Sequence, residues 1–204
     1  MMTLAQQAKK QAHIALYGGT FDPIHRAHLQ VARSALQQAS LQKVVFIPAA
    51  HSPLKAHGPI ASDADRLKML QLATADEADF VVDDSELRRG GISYTVQTVR
   101  GFAQREPGAE IFWIIGGDQL AQLDHWHAID ELVKMVTFLV LARPGYTLSA
   151  PSVAGLVWTQ IEAPVMLESS TLIRERISQG LSVERLLPRP VEAFIQAKGL
   201  YTAG

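Results

Sequence analysis

The sequence predicts one α/β domain: a doubly wound, mainly parallel sheet with helices on both faces and a C-terminal helical segment. Three observations lead there. Short β-branched or aromatic runs alternate with amphipathic segments along the chain, the pattern of repeated strand–helix units. The runs Val44-Val45-Phe46-Ile47 and Ile111-Phe112-Trp113-Ile114-Ile115 are apolar at every position, as strands covered on both faces are. No linker, repeat or low-complexity stretch divides the chain.

Taken in order, His13 to Tyr17 reads as the first strand, ended by Gly18-Gly19. Leu29, Ala32, Leu36 and Ala39 then recur at helical spacing from about His25 to Ala39. Val44 to Ile47 is the second strand, and Pro48 opens a loop that runs through Pro53 and Pro59. Ser62-Asp63-Ala64-Asp65 starts a helix with Leu67, Leu70 and Ala73 on one face. Phe80-Val81-Val82 is a third strand. Ser93 is placed to cap a helix carrying Val96, Val99 and Ala103, which Pro107-Gly108 stops. Ile111 to Ile115, Thr137 to Leu141 and Val157 to Ile161 complete the strands. Two helices follow, from near Ser170 and near Pro190, with Gly180 and Gly199 as their stops. The expected core spans about 13–201, with residues 1–12 as an N-terminal extension. Such a Rossmann-like sheet binds ligands at the carboxyl ends of its strands, where strand order reverses.

Composition narrows the function. The 204 residues are 48 % hydrophobic and 19 % charged, the range of an ordinary globular protein. A net charge of −1 gives no electrostatic reason to expect a nucleic-acid polymer or an anionic membrane as partner. Any phosphate binding must come from local groups. Cysteine is absent, which excludes disulfides, a thiolate nucleophile and a Cys-ligated zinc. The apolar run after Lys9 and Lys10 is too short for a signal peptide and no membrane-length span exists, so a cytoplasmic location is expected. No apolar stripe stands apart from the expected core, so oligomeric state is not legible.

The first strand runs into Gly18, Gly19 and Thr20 and then into a helix opening near His25. Glycines at such a turn let amides approach a ligand, and a helix N-terminus favours an anion. His25 and His28 share one face of the first helical turn and can both donate to phosphate oxygens. An ordinary βα turn with two surface histidines fits the spacing equally well. The Walker A pattern is absent. Ser170 and Thr171 open a helix with Arg174 one turn later, which suits an anion or, alternatively, a plain helix cap with a surface arginine. Asp118 follows the central strand, positioned either for ribose hydroxyls or to stabilise a turn. His125 and His127 flank Trp126. With no third ligand at recognisable spacing, exposed histidines fit better than a metal site, and Trp126 itself suits a core position.

Gly18-Gly19-Thr20-Phe21-Asp22-Pro23-Ile24-His25-Arg26-Ala27-His28 resembles the opening signature of the nucleotidylyltransferase superfamily, whose second half is His-x-Gly-His. Ala27 stands where the family usually has Gly. The resemblance implies a methyl group near the adenosine there, and a modest adjustment of the pocket. Ile92-Ser93-Tyr94-Thr95-Val96-Gln97-Thr98 is similar to the Ser-Tyr-Thr-x-x-Thr motif of bacterial nicotinate-nucleotide adenylyltransferases. Ile115-Gly116-Gly117-Asp118-Gln119-Leu120, Leu123-Asp124-His125-Trp126 and Ala142-Arg143-Pro144-Gly145-Tyr146 resemble further motifs of that family. Ser169-Ser170-Thr171-Leu172-Ile173-Arg174 resembles the superfamily's second phosphate motif. The tail from Leu187-Pro188 to Gly199-Leu200-Tyr201 follows the family too. These matches lie in order from about residue 13 to 201.

The resemblance implies adenylyl transfer from ATP to nicotinate mononucleotide, giving nicotinate adenine dinucleotide and pyrophosphate. It implies His25, His28 and Arg174 as catalytic residues, and these with Gly18, Gly19, Thr20, Asp118, Ser170 and Thr171 around ATP. Phe21, Lys55, Tyr94, Thr95 and Trp126 are implied at the mononucleotide, with Trp126 stacking on the pyridine ring. Lys55 resembles the lysine of a proline-rich loop, although His51-Ser52-Pro53-Leu54-Lys55 departs from the commoner Pro-Pro-His-Lys form and a solvated lysine is the alternative. A magnesium ion is implied with the pyrophosphate, held by phosphate oxygens and water, with no protein ligand named. The alternatives are nicotinamide mononucleotide as substrate, or a nucleotide-sensing module without catalysis.

Overall fold

Strand pairing follows the apolar runs. In the computed structural model, which describes residues 11–54, 57–142, 148–164, 166 and 168–203, the strands are β1 (His13–Gly19), β2 (Lys43–Pro48), β3 (Phe80–Val82), β4 (Glu110–Gly116), β5 (Thr137–Leu141) and β6 (Trp158–Ile161). They form one all-parallel sheet in the order β3-β2-β1-β4-β5-β6. Order reverses between β1 and β4, which pair from His13↔Glu110 to Leu16↔Trp113. Beyond that pairing the two strands part, and their carboxyl ends flank the crevice expected of this topology. Lys55 and the Arg143-Pro144-Gly145-Tyr146 turn lie outside the described residues.

The helices are α1 (Arg26–Gln38), α2 (Asp63–Thr74), α3 (Ser85–Arg89), α4 (Thr95–Arg105), α5 (Gly117–Leu120), α6 (Ile129–Leu132), α7 (Ser170–Ser178) and α8 (Arg189–Lys198). They cover both faces of the sheet. Because side chains alternate along a strand, Ala15, Phe46 and Ile114 join one core with Ala32 of α1, Leu70 of α2, Ile173 of α7 and Ile195 of α8. Ile14, Leu16 and Val45 join the other, with Val99 of α4, Leu120 of α5 and Leu132 of α6. Phe46, Leu16 and Ile14 are almost wholly buried. Each such side chain contributes about 1.5–3 kcal/mol by leaving water.

Several boundaries differ from expectation. β1 continues through Gly18 and Gly19, which pair with Ile47 and Pro48. Ser93 does not cap α4, whose N-cap is Tyr94. Its hydroxyl instead accepts from Ala50 N–H at 3.0 Å, and its own N–H donates to the His51 carbonyl at 2.8 Å. Both bonds tie the loop after β2 to the start of α4. The sequence reading has no counterpart for α3, α5 or α6, which span only one turn or so and carry too few residues to show helical periodicity.

Candidate active site

A cleft of about 950 Å³ opens at the carboxyl ends of β1 and β4. Gly18, Gly19, Thr20, Phe21, His28 and Ser170 line one end, and Tyr94, Thr95, Asp118 and Trp126 line the rest. Gly18 and Gly19 keep extended strand angles, so conformational freedom is not what they supply. Space is. A Cβ on Gly18 would sit 2.7 Å from the Trp113 ring, and one on Gly19 would sit 2.9 Å from the Phe21 ring.

The turn between β1 and α1 is built around a strained residue. Phe21 has φ 48°, the left-handed region that costs a bulky side chain about 1–3 kcal/mol. Burial of its ring offsets this, edge-on to Tyr17 at 5.6 Å and to His28 at 5.1 Å. His25 is the N-cap of α1, and its N–H donates to His28 Nδ1 at 3.3 Å. Since Nδ1 accepts, a neutral His28 carries its proton on Nε2. The two rings stack at 3.7 Å. His28 lines the cleft, whereas His25 lies behind it, 5 % exposed, with its pKa lowered to about 4 by burial. Ala27, in the first turn of α1, is half-buried.

The second phosphate motif is pinned to the first. Ser169 caps α7, accepting from Leu172 N–H at 3.1 Å. Ser170 Oγ donates to the Pro23 carbonyl at 3.0 Å, and Arg174 Nη1 donates to the Asp22 carbonyl at 2.7 Å. Arg174 Nη2 reaches Thr171 Oγ1 at 3.3 Å. Ser170 lines the cleft; the exposed Thr171, the half-buried Arg174 and the buried His25 are not among its lining residues.

At the other end, α4 begins with no side-chain cap and no acidic residue in its first turn. Its positive end therefore faces the cleft at Tyr94 and Thr95. The Tyr94 ring lies 4.2 Å from that of His127, and Trp126 packs edge-on against Phe138 at 6.4 Å. Trp126 is thus partly core and partly cleft wall. His125 and His127 are exposed, and among the described residues no group of three or more His, Asp or Glu side chains is placed to hold a metal. No Lys or Arg is among the described cleft-lining residues, where His28, His125 and His127 are the groups able to become cationic.

Comparison with known proteins places this arrangement. The cytidylyltransferase-like family model matches residues 16–176, a span holding both phosphate motifs and the cleft walls. The chain belongs to the cytidylyltransferase-like family. Within it, the chain groups with the nicotinate-nucleotide adenylyltransferases. Relatives carrying the name probable nicotinate-nucleotide adenylyltransferase include one from Geobacillus kaustophilus, 40 % identical over 93 % of this chain and 86 % of its own length. One from Opitutus terrae is 40 % identical over 92 % and 97 %, and one from Halalkalibacterium halodurans is 43 % identical over 92 % and 90 %. In three dimensions the chain is similar to the Plasmodium falciparum nicotinic acid mononucleotide adenylyltransferase solved with NaAD. The TM-score is 0.77, at 16 % identity, over 94 % of this chain and 98 % of that one. At that identity the likeness speaks to fold alone.

Set against the family's motifs, several cleft residues had no local signal. Glu86 of α3, 3 % exposed, lines the cleft and accepts from Thr98 Oγ1 of α4. Tyr17 and Trp113 line it from inside apolar strands, where nothing distinguishes them from core. Arg66 of α2 is fully buried and donates from Nη1 to the Thr20 carbonyl at 2.7 Å and from Nη2 to Asp63 at 2.6 Å. Its helical spacing gives no hint of that reach.

Proposed function

We propose that this chain transfers the adenylyl group of ATP to nicotinate mononucleotide, forming nicotinate adenine dinucleotide and releasing pyrophosphate. The observation that carries the reading is the single cleft joining two unlike ends. One end holds Gly18–Phe21, His28 and Ser170. The other holds Trp126 and the uncapped N-terminus of α4. The names borne by relatives near 40 % identity support the same reaction.

In this reading a phosphate oxygen of the mononucleotide attacks the α-phosphorus of ATP, and the bond to the bridging oxygen of pyrophosphate breaks. The nucleophile is already an anion, so no general base is required. Catalysis is positioning plus stabilisation of charge on the phosphates. His28 donates from Nε2 to the phosphate chain, with His25 packed neutral behind it. Ser170, Thr171 and Arg174 hold the second side, with Ser170 on the cleft wall, Arg174 anchoring the turn at Asp22 and Thr171 accepting from Arg174. Asp118 takes the ribose hydroxyls. The pyridine ring stacks on Trp126, with its carboxylate toward the amides of Tyr94 and Thr95. A magnesium ion carried by phosphate oxygens and water would supply charge neutralisation at the pyrophosphate, with no residue of this chain assigned as its ligand. Phe21 shapes the wall between the two substrates, and Lys55 is assigned to the mononucleotide by family resemblance alone. The reaction is placed in the cytoplasm.

The test is a two-substrate assay. Pyrophosphate release and dinucleotide formation are measured with ATP and either nicotinate or nicotinamide mononucleotide. At least a tenfold preference for the acid, in kcat/KM, is expected. A preference for the amide overturns the substrate choice, and tight ATP binding without product from either overturns the catalytic reading.

A further inference from the structure

The Asp22 carboxylate is buried at 4 % exposure behind the phosphate-binding turn, and three segments meet on it. Its Oδ2 accepts from Ile60 N–H at 2.7 Å, and its Oδ1 accepts from Ala61 N–H at 3.1 Å. The third donor is the Tyr201 hydroxyl, 2.7 Å from Oδ1 and 179 residues away in the chain. The matched family segment ends at residue 176, well short of Tyr201.

These partners belong to parts of the cleft. Asp22 follows Thr20 and Phe21 on its wall, and Ile60-Ala61 ends the segment whose Ser52, Pro53 and Leu54 lie along its flank. Guanidiniums hold the same turn from below: Arg66 donates to the Thr20 carbonyl and Arg174 to the Asp22 carbonyl, both at 2.7 Å. Each of those guanidiniums acts on one carbonyl. Among the described side chains, Tyr201 is the one that donates to the carboxylate, which Ile60 and Ala61 reach through backbone amides. Burial and the Asp22 carboxylate both push the Tyr201 phenol up, so it keeps its proton and donates.

We propose that Tyr201 is a positioning residue for adenylyl transfer: its hydroxyl orients the Asp22 carboxylate, and through it the turn that receives ATP and the segment flanking the cleft. The proposal rests on assigning the ATP phosphates to the turn carrying His28. Without the hydroxyl the carboxylate keeps two amide donors but loses the one that sets its rotation about the Cα–Cβ bond. The turn then samples orientations in which Thr20 and His28 no longer converge on one anion. The mononucleotide end, at Tyr94 and Trp126, shares no hydrogen bond with this network and is left as it was.

Tyr201→Phe removes only the hydroxyl. A merely stapling role lowers the melting temperature and leaves the substrate parameters alone. The positioning role raises KM for ATP about five- to tenfold, the scale of one ordinary hydrogen bond, while KM for nicotinate mononucleotide stays within about twofold. Unchanged parameters, or equal rises for both substrates, overturn the proposal. Asp22→Asn supplies the second arm. The double variant with Tyr201→Phe is expected to bind ATP no more weakly than Asp22→Asn alone, and additive losses refute the coupling. ATP binding measured calorimetrically without mononucleotide separates this proposal from the reaction assignment. A wild type that forms no dinucleotide sinks the reaction, while loss of ATP affinity in Tyr201→Phe still supports the positioning role.

Discussion

The imidazoles of His25 and His28 stack at 3.7 Å between centroids and 29° between planes, yet only His28 lines the cleft, and His25 is 5 % exposed behind it. Two histidines three positions apart thus do different work. One lines the cleft, and the other packs under it in the neutral form.

Burial lowers the His25 pKa from about 6.5 to about 4. Between those values the unfolded chain binds a proton that the folded chain excludes, so folding stability falls as the solution is acidified. The His25 contribution is fully present above pH 6.5 and is lost progressively down to pH 4, amounting to about 3 kcal/mol. Urea denaturation of wild type and His25→Gln at pH 7 and pH 4.5 checks this. The wild type should lose more stability than the variant over that interval, and parallel losses would contradict it.

Replacing His28 with Ala removes an Nε2 donor from the cleft wall. Turnover should drop about 100-fold, the usual cost of one donor to transition-state charge. Affinity for nicotinate mononucleotide, titrated separately, should stay within about twofold because the groups proposed to bind it are Tyr94, Thr95 and Trp126. An unchanged rate would remove His28 from the phosphate site.

Gly18→Ala forces a Cβ to within 2.7 Å of the Trp113 ring, closer than any real contact. Trp113 is 4 % exposed and packed in the core, so its ring can give way only toward the cleft it lines. Overpacking of this kind costs about 1–3 kcal/mol. Thermal denaturation should show the loss, and the displaced indole should alter tryptophan fluorescence.

Ser93→Ala leaves the Ala50 N–H without its 3.0 Å acceptor. An unsatisfied, partly buried donor costs about 1–3 kcal/mol. Hydrogen exchange should accelerate at Ala50 and at its neighbours along the cleft, with little change in β4. Uniform acceleration across the sheet would mean that the bond supports the whole fold rather than this loop.

Most strands were legible as apolar runs, though β6 carries Thr159 and Gln160, and strand–helix alternation implied a mainly parallel sheet without giving its order. Gly18 to His28 and Ser169 to Arg174 stood out as contiguous motifs through their family resemblance, since their spacing alone fits an ordinary turn and a plain helix cap as well. Ser93 misled for a physical reason. Its position suits a helix cap, but a partner 43 residues away competes for the same hydroxyl and wins. Arg66 and Tyr201 were invisible as site residues because their partners, Thr20 and Asp22, lie 46 and 179 residues off. Nothing in a helix's periodicity or a tail's composition records such a reach.

Those separations also bear on how the protein is made. Pro23 bonds Ser170 across 147 residues, and Asp22 bonds Arg174 across 152 and Tyr201 across 179. A ribosome that has translated only as far as β6 has supplied every strand of the sheet, but none of these donors. The nascent chain can therefore own a formed sheet while its phosphate turn still lacks all three clasps. Loop closure of that length is entropically costly and slow relative to local contacts. Nucleotide affinity should accordingly be the last property to appear in refolding, after secondary structure has already returned.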